Sequence, residues 1–221
     1  IFSRDEMKQW FMKEKFNDKK IKFIIGDVRD EDSVINASRN VDFIIHAAAT
    51  KIVPTAEINP IECIKTNILG AQNVIKAANL NKVKKIVALS TDKACNPINL
   101  YGATKLASDK LFLSANNIDP MKKMFSVVRY GNVIGSRGSI VPFFLQQSKT
   151  NTLTVTDKNM TRFMISIEEA VKMVWKVFEK MSGGEIFVKK LPSMNIMEIA
   201  KAISPKSKIK MIGIRPGEKI H

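Results

Sequence analysis

The sequence predicts an α/β fold whose strands form a parallel sheet. Strand-like and helix-like segments alternate from residue 5 to residue 130, which is the pattern of repeated βαβ units. The stretch 84–90 is a short run with an apolar centre, as expected of a strand buried in such a sheet. The chain has 221 residues, of which 45% are hydrophobic, and this is ample for one packed core.

The elements follow one another without an internal repeat. Charged and apolar residues divide the segment 5–16 into two helical faces, and Pro60 suits the first turn of a helix over 60–79. Asn195 is a candidate N-cap for the helix at 195–203. The predicted helices are 5–16, 30–38, 60–79, 101–115, 141–148, 167–181 and 195–203. The predicted strands are 21–25, 41–46, 84–90, 125–130, 153–155 and 185–189.

The net charge of +15 at first suggests an anionic partner. The lysines are scattered, however, and no basic run is interleaved with aromatic residues, so we expect no nucleic-acid partner. No apolar run approaches eighteen residues, so we expect no membrane contact. Cys63 and Cys95 have neither zinc-ligand nor disulfide spacing, which predicts no metal and two reduced thiols in a cytoplasmic protein.

The most informative residues stand where the strand 84–90 ends. Thr91, Asp92 and Lys93 come directly after it, and catalytic groups in open α/β sheets collect at the carboxyl ends of strands. A carboxyl and an amine side by side can act as a general acid and a general base, provided that burial moves their pKa values toward neutrality. This predicts elimination chemistry.

A second pair follows on the next predicted helix. Tyr101 and Lys105 are four residues apart and therefore share one helix face. An ammonium next to a phenol favours the phenolate, so we expect the pKa of Tyr101 to fall below about 10. Such a phenolate could take a proton from a hydroxyl group while hydride leaves the same carbon. The pair alone is a weak signal, but the adjoining residues 91–93 strengthen it.

These motifs, in this order, resemble the extended short-chain dehydrogenase/reductases. Within them the chain is similar to the inverting UDP-N-acetylglucosamine 4,6-dehydratases of pseudaminic acid synthesis, which are polysaccharide biosynthesis proteins. The resemblance extends along essentially the whole chain. The matching stretches are 3–6, 25–30, 46–49, 59–60, 65–67, 90–93, 96–99, 129–133, 135–138, 161–163 and 215–219. The resemblance implies a doubly wound Rossmann-type sheet, NADP rather than NAD, a UDP-sugar substrate and a homo-oligomer.

The resemblance also implies catalytic roles. Tyr101, held by Lys105, would remove the proton of the C4 hydroxyl as hydride passes to NADP⁺. Lys93 would take the C5 proton, protonated Asp92 would help the C6 hydroxyl to leave as water, and Thr91 would hydrogen-bond the 4-oxygen. Hydride would then return to C6, and a proton arriving on the opposite face of C5 would invert that carbon.

Cofactor contacts are implied mainly at the ends of the first strands. The hydroxyl of Ser3 and the guanidinium of Arg4 suit a 2′-phosphate, which favours NADP although Asp5 is adjacent. The small residues 47–49 would let the backbone approach the cofactor. The expected cofactor-binding residues are Ser3, Arg4, Asp27, Val28, Ala47, Ala48, Ala49, Lys51, Tyr101, Lys105 and Val133.

Substrate contacts are implied after residue 130 and on the loop after residue 49. Asn132 and Arg137 follow the strand 125–130, and Arg162 and Arg215 are candidates for the pyrophosphate because a guanidinium matches phosphate oxygens. Lys51 would contact both cofactor and substrate. Ile52 departs from the family pattern, in which a His commonly follows this lysine.

The resemblance suggests a domain division and a shortened chain. We expect residues 1–140 to form an NADP-binding Rossmann-type domain and 141–221 to form a mixed region of core and substrate lobe. No Gly precedes Gly26, so the Gly-rich turn that seats the pyrophosphate in this family is absent. We therefore expect a fragment that lacks the first β-α unit and a C-terminal part, and that is inactive alone.

Two alternatives stay open. One is another extended short-chain enzyme, either a retaining nucleotide-sugar 4,6-dehydratase or a 4-epimerase. Epimerases need only the tyrosine, the lysine and a small hydroxyl residue, so Asp92 and Lys93 argue against that activity. The other is a non-catalytic Rossmann-type scaffold or an inactive truncated fragment, which would bind NADP poorly.

Overall fold

A computed structural model of the chain describes residues 1–117 and 124–221. Its strands are β1 (Phe2–Ser3), β2 (Ile24–Ile25), β3 (Phe43–His46), β4 (Lys85–Thr91), β5 (Met124–Tyr130), β6 (Asn132–Val133), β7 (Thr152–Val155), β8 (Thr161–Ile165), β9 (Ile186–Val188), β10 (Ser193–Asn195) and β11 (Lys208–Met211). Its α-helices are α1 (Glu6–Phe16), α2 (Glu31–Ala37), α3 (Val53–Ile58), α4 (Pro60–Ile64), α5 (Gly70–Leu80), α6 (Leu100–Ser114), α7 (Ile140–Ser148), α8 (Ile167–Lys180) and α9 (Ile196–Ile203). A π-helical segment, Lys65–Leu69, joins α4 to α5, and a 3₁₀ turn, Asp92–Ala94, follows β4.

Four parallel strands form the main sheet, in the order β3-β4-β5-β9. Successive residues of β4 point to opposite faces of this sheet. Ile86 packs in a cluster with residues of α2, α5 and α6, whereas Val87 packs with residues of α8. Both side chains are fully buried. Helices therefore cover both faces, which confirms the predicted doubly wound α/β fold.

The remaining strands form smaller sheets. β1 and β2 pair in parallel beside the main sheet, β7 pairs with β11, and β8 lies between β6 and β10. A separate apolar cluster that includes Phe144, Leu153 and Ile196 joins α7, β7 and α9. β9 is a strand of the main sheet, and α8 packs on one face of that sheet. The region after residue 140 therefore contributes both to the main sheet and to the helices that cover it. The division at residue 140 stays a prediction.

The predicted helix 60–79 is present, but its middle is π-helical. The wider turn at Lys65–Leu69 buries Thr66 and Asn67. The side chain of Asn67 accepts a hydrogen bond from the backbone N–H of Thr50 at 2.8 Å and donates one to its carbonyl at 3.0 Å. This segment therefore fixes the loop that follows β3, where cofactor contacts were expected.

The structure differs from the predicted elements mainly in short pieces. The strand predicted at 21–25 pairs only over Ile24–Ile25, and α3, β6, β8, β10 and β11 were not predicted. β6 and β10 are too short to show a periodicity of their own, and β11 alternates lysines with apolar residues at an edge. Within residues 1–117 and 124–221, no helix is both long and apolar enough to cross a bilayer.

Two neighbouring phenylalanines of α7 offer a test of the packing. Phe144 is 1% exposed and Phe143 is 44% exposed. We expect Phe144→Ala to lower the free energy of unfolding by about 3–5 kcal/mol, because it removes a buried ring and leaves a cavity. Phe143→Ala is the matched control and should cost much less. Urea unfolding followed by circular dichroism measures both, and equal losses would contradict the placement of α7.

Candidate active site

The carboxyl end of β4 carries a hydrogen-bonded group of three predicted residues. The hydroxyl of Thr91 donates to Oδ1 of Asp92 at 2.9 Å. The Nζ of Lys93 donates to the same oxygen at 3.2 Å and to Oδ1 of Asn132 at 3.3 Å. The side chains of Asp92 and Lys93 are both partly exposed. The strand end thus brings a carboxylate and an amine together at an accessible position, as the sequence predicted.

Helix α6 packs closely against this group because residue 102 has no side chain. A Cβ on Gly102 would lie 2.3 Å from the carbonyl oxygen of Lys93 and 3.0 Å from Cβ of Pro97. A backbone carbonyl cannot move aside as the tip of a side chain can, so glycine is required for this approach. Asn99 caps the helix by accepting a hydrogen bond from the N–H of Gly102 at 2.8 Å.

The chain near residue 217 closes this region from another side. The side chain of Asn99 donates to the carbonyl of Gly217 at 2.8 Å, and Nζ of Lys219 donates to the carbonyl of Cys95 at 2.8 Å. Glu57 of α3 accepts from the N–H of Leu100 at 2.8 Å. The start of α6 is therefore held by residues that are distant in the sequence. Gly217 and Lys219 lie in the matching stretch 215–219, whereas Glu57 lies outside every matching stretch.

Tyr101 and Lys105 share the inner face of α6, as predicted, but the expected pKa shift of the tyrosine is wrong. Burial raises the pKa of Tyr101 to about 12, and a hydrogen bond with Thr91 offsets only part of this rise. Burial also lowers the pKa of Lys105 below its usual value of 10.5. Lys105 therefore loses its proton before the phenol of Tyr101 ionises, so an ammonium does not favour the phenolate in this state.

Most of the predicted cofactor residues surround one cleft of about 890 Å³ between the β1–β2 pair and β3. Its lining includes Ser3, Arg4, Asp27, Val28, Ala47, Ala48 and Ala49, together with His46 and Thr66. His46 is buried, and its Nε2 has no hydrogen-bond partner in the structure. Burial, together with the charge of Lys105, lowers the pKa of His46 to about 3, so the imidazole is neutral near pH 7.

The charged groups at the mouth of this cleft form a small network. Nη1 of Arg4 lies 3.4 Å from Oδ2 of Asp27, and Nη2 of Arg29 lies 2.6 Å from the same oxygen. Burial would raise the pKa of Asp27, but the hydrogen bonds from Arg29 outweigh it and hold that pKa below its usual value. Arg4 is exposed, and within residues 1–117 and 124–221 its guanidinium makes only this long contact. Its guanidinium is therefore accessible to an anionic ligand.

Asp5 lines the same cleft, but its carboxylate is engaged at the start of α1. Its carboxylate accepts a hydrogen bond from the N–H of Lys8 at 2.9 Å and caps the helix. That hydrogen bond is the main reason why the pKa of Asp5 is lowered, and Arg137 contributes through its charge. Arg137 is exposed and lies within electrostatic reach of Asp5, and its predicted contact with the sugar nucleotide stays a prediction.

The other predicted substrate residues divide into two groups. Arg162 lies within electrostatic reach of Asp92, although burial lowers its pKa more than the charges of Glu218 and Asp92 raise it. Asn132 contacts Lys93, as described above, and Val133 beside it pairs with Ile165 in the β6–β8 ladder. Lys51 is exposed on the loop after β3, and Arg215 binds Glu218 at 2.5 Å. The structure thus places Asn132 and Arg162 near the pair formed by Asp92 and Lys93. Arg215 instead forms an ion pair with Glu218.

Two charged residues lie behind Lys105: Asp109, which is outside every matching stretch, and Arg129, which is in the stretch 129–133 but was given no role. Asp109 follows Lys105 by four residues on the same face of α6 and is 1% exposed. Its Oδ2 accepts a hydrogen bond from Nε of Arg129 at 2.8 Å. The spacing 101, 105, 109 on one helix face was the signal that could have found Asp109. Among the described residues no cluster of metal-binding side chains occurs, and none was predicted.

The raised pKa of Tyr101 can be tested directly, because Tyr101 and Tyr130 are the two tyrosines of the chain. In Tyr130→Phe, we expect the absorbance of tyrosinate at 295 nm to rise with a midpoint near pH 12, because burial disfavours the phenolate. The unfolded phenol ionises near pH 10, so stability should fall as the pH rises from about 10 to 12. Circular dichroism shows whether the chain is still folded, and a midpoint near 10 in the folded chain would contradict the burial of this phenol.

Comparison with known proteins gives a consistent result. All 221 residues match the family described as polysaccharide biosynthesis protein. The UDP-N-acetylglucosamine 4,6-dehydratase (inverting) of Campylobacter jejuni subsp. jejuni serotype O:23/36 (strain 81-176) is 61% identical over 224 residues, covering 100% of this chain and 67% of that protein. The UDP-glucose 4-epimerase of Rickettsia bellii (strain OSU 85-389) is 49% identical over 225 residues, covering 99% of this chain and 66% of that protein.

A solved structure agrees with the sequence relatives. The X-ray structure of Pen from Bacillus thuringiensis superimposes with a TM-score of 0.96 at 42% identity, covering 100% of this chain and 70% of that one. The chain thus spans about two thirds of the length of the proteins that it matches. The full-length match and the level of identity lead to one conclusion: this chain belongs to the polysaccharide biosynthesis protein family.

Proposed function

We propose that this chain carries the active site of an NADP-dependent, inverting UDP-N-acetylglucosamine 4,6-dehydratase. The observation that carries this proposal is the 3.2 Å contact between Nζ of Lys93 and Oδ1 of Asp92. This contact lies next to Thr91 and close to Tyr101. An epimerase has no need for such an acid–amine pair, whereas a dehydratase must remove a C–H proton and protonate a leaving hydroxyl. The 61% identity to the Campylobacter enzyme supports the same substrate and stereochemistry.

The cleft between the β1–β2 pair and β3 would hold the cofactor. Small side chains at residues 47–49, the unpartnered Nε2 of His46 and the accessible guanidinium of Arg4 fit a phosphorylated dinucleotide. When bound, NADP⁺ would supply the hydride chemistry, accepting hydride from C4 and returning it to C6. NADP is favoured over NAD because Asp5 is occupied as a helix cap and leaves the 2′ position to Arg4.

Tyr101 performs the first proton transfer. Its phenol lies beside Thr91, whose hydroxyl also orients the 4-oxygen of the sugar. Because burial alone keeps the phenol protonated at neutral pH, Tyr101 can act as a base only while a cation lies close to it. Lys105, on the same face of α6, provides that cation when it is protonated.

Asp92 and Lys93 perform the elimination as a unit. Transfer of one proton from Nζ of Lys93 to Oδ1 of Asp92, across 3.2 Å, turns the ion pair into a neutral amine and a protonated carboxyl. The amine then takes the C5 proton, and the carboxyl protonates the C6 hydroxyl, which leaves as water. The pair ends as ammonium and carboxylate, the state in which it began. Tyr101 then releases to solvent the proton that it took from the C4 hydroxyl, and a proton from solvent reaches C5. Its arrival on the opposite face inverts that carbon.

The biological setting follows from the proposed product. A UDP-4-keto-6-deoxy-HexNAc with inverted C5 suits the first step of pseudaminic acid synthesis for surface or flagellin glycans. We place the reaction in the cytoplasm, since Cys63 and Cys95 are free thiols.

We also propose a homo-oligomer, because Ile58 of α3 and Ile61 of α4 are large apolar side chains that are exposed in the single chain.

A second candidate function comes from the Rickettsia relative, which is named a UDP-glucose 4-epimerase. Proton NMR of the product separates the candidates. The proposed enzyme gives a 6-deoxy-4-ketone inverted at C5, a retaining dehydratase gives its C5 epimer, and an epimerase keeps the C6 hydroxyl.

For these 221 residues alone we expect weak NADP binding, because no Gly-rich turn precedes Gly26. Micromolar binding would contradict that expectation. Assays of turnover therefore use the natural protein that carries this chain.

Replacement of Lys93 tests the elimination step. We expect Lys93→Ala to lower the rate of water loss by at least about 10²-fold, because no other base replaces the neutral amine. Lys84→Ala is the matched control, since Lys84 is an exposed lysine at the amino end of the same strand, and it should leave turnover unchanged. NMR detection of the 6-deoxy product measures both. Near-normal turnover in Lys93→Ala would overturn the assigned role.

Replacement of Arg4 tests the choice of cofactor. We expect Arg4→Ala to weaken binding of NADP by about 10-fold or more, because a charged hydrogen bond to the 2′-phosphate is lost. Binding of NAD should change little. Lys13→Ala, an exposed cation on α1, is the control. Fluorescence titration of the natural protein with both cofactors measures the effect, and an equal loss for NAD and NADP would argue against recognition of the 2′-phosphate.

A further inference from the structure

We propose that Asp109, held in place by Arg129, is a positioning residue that keeps Lys105 protonated beside Tyr101. This inference rests on the proposed function, in which Tyr101 is the base that starts the reaction. It can still be tested independently of that function, because it concerns the charge of one lysine, Lys105, in the folded chain.

The first observation is the spacing on α6. Tyr101, Lys105 and Asp109 follow one another at intervals of four residues and therefore lie in one row along the helix. Lys105 is 2% exposed and Asp109 is 1% exposed. A buried ammonium without a counter-charge gives up its proton, so a carboxylate one turn away decides whether Lys105 stays charged.

The second observation is how the carboxylate of Asp109 is held. Its Oδ2 accepts the 2.8 Å hydrogen bond from Nε of Arg129 on β5, whose side chain is largely buried. Its Oδ1 is buried and has no hydrogen-bond partner in the structure. Arg129 therefore orients the carboxylate of Asp109, while the second oxygen accepts no hydrogen bond from the described residues.

The third observation is that the surroundings are buried and that the described residues there carry few other charges. The hydroxyls of Ser90 on β4 and Ser108 on α6 are buried and also lack partners. His46 on β3 acts on Lys105 through charge only when it is protonated, and its pKa of about 3 keeps it neutral. Asp92 and Tyr130, from the turn after β4 and from β5, act on Tyr101, and so does the charge of Asp109, which raises the pKa of that phenol. Asp109 is thus the counter-charge of Lys105.

The balance of effects on Lys105 agrees with this geometry. Burial lowers the pKa of Lys105, and the charge of Asp109 raises it. Without that carboxylate the lysine would be neutral over more of the working pH range. A neutral lysine gives Tyr101 no help in releasing its proton, so the effect of Asp109 reaches the substrate through two residues.

The test follows the charge of Lys105 by NMR of ¹³C-lysine in this chain, with its signal identified by its loss in Lys105→Arg. In Asp109→Asn we expect the titration midpoint of Lys105 to fall by about one pH unit or more. Ser108→Ala is the matched control, because it removes a neighbouring buried polar group without changing charge, and its midpoint should stay that of the parent chain. An unchanged midpoint in Asp109→Asn would overturn the proposal.

A second variant covers the case in which Asp109→Asn does not fold, since it leaves the charge of Arg129 uncompensated. The double variant Asp109→Asn/Arg129→Met removes both charges, and the midpoint should fall here too. No fall in the double variant counts against the proposal.

Turnover in the natural protein adds a readout that a packing defect would not give. In Asp109→Asn the loss of kcat at alkaline pH should begin at lower pH by the same amount as the lysine midpoint, whereas a packing defect lowers kcat at every pH. If the parent protein makes no 6-deoxy product, the proposed function fails, and the lysine titration still decides the role of Asp109.

Discussion

The structure of the site depends on the close contact between helix α6 and the turn that follows β4. A side chain at residue 102 would collide with the carbonyl of Lys93. Because it is glycine, the row of Tyr101 and Lys105 can lie against the row of Thr91, Asp92 and Lys93. The pair Tyr101 and Lys105 lies on a helix face and suits the proposed redox step. The group Thr91, Asp92 and Lys93 lies at a strand end and suits the proposed elimination. Neither group could perform both steps alone. The backbone contact is what joins them into one site.

Burial at this contact has two opposite effects. It removes the phenol of Tyr101 from water and fixes its position, but it also disfavours the phenolate and raises the pKa to about 12. The same burial weakens the ammonium of Lys105. A site built from one tyrosine and one lysine in a dry pocket would therefore be poorly basic. The carboxylate of Asp109, held by Arg129 on β5, opposes the effect of burial on Lys105, so the proposed functional unit is larger than the motif.

The fold and the strand-end group could be predicted because they rest on local patterns. An apolar strand followed by Thr91, Asp92 and Lys93 needs no knowledge of distant residues, and the alternation of elements predicts the parallel sheet. The pKa of Tyr101 could not be predicted in the same way, because it depends on how completely neighbouring elements exclude water. Asp109 was also missed, since its importance comes from Arg129, which lies twenty residues away on a strand.

The contacts of Asn99 with Gly217 and of Lys219 with Cys95 have a consequence for the order of folding. They join residues 118 and 124 positions apart, whereas α6 and its cap form from neighbours in the chain. Closing such long loops carries a large entropic cost that must be met before the contact contributes anything. We expect the sheet and its helices to assemble first and these bonds to close afterwards. The catalytic pocket would then be the final part of the molecule to become ordered during biogenesis.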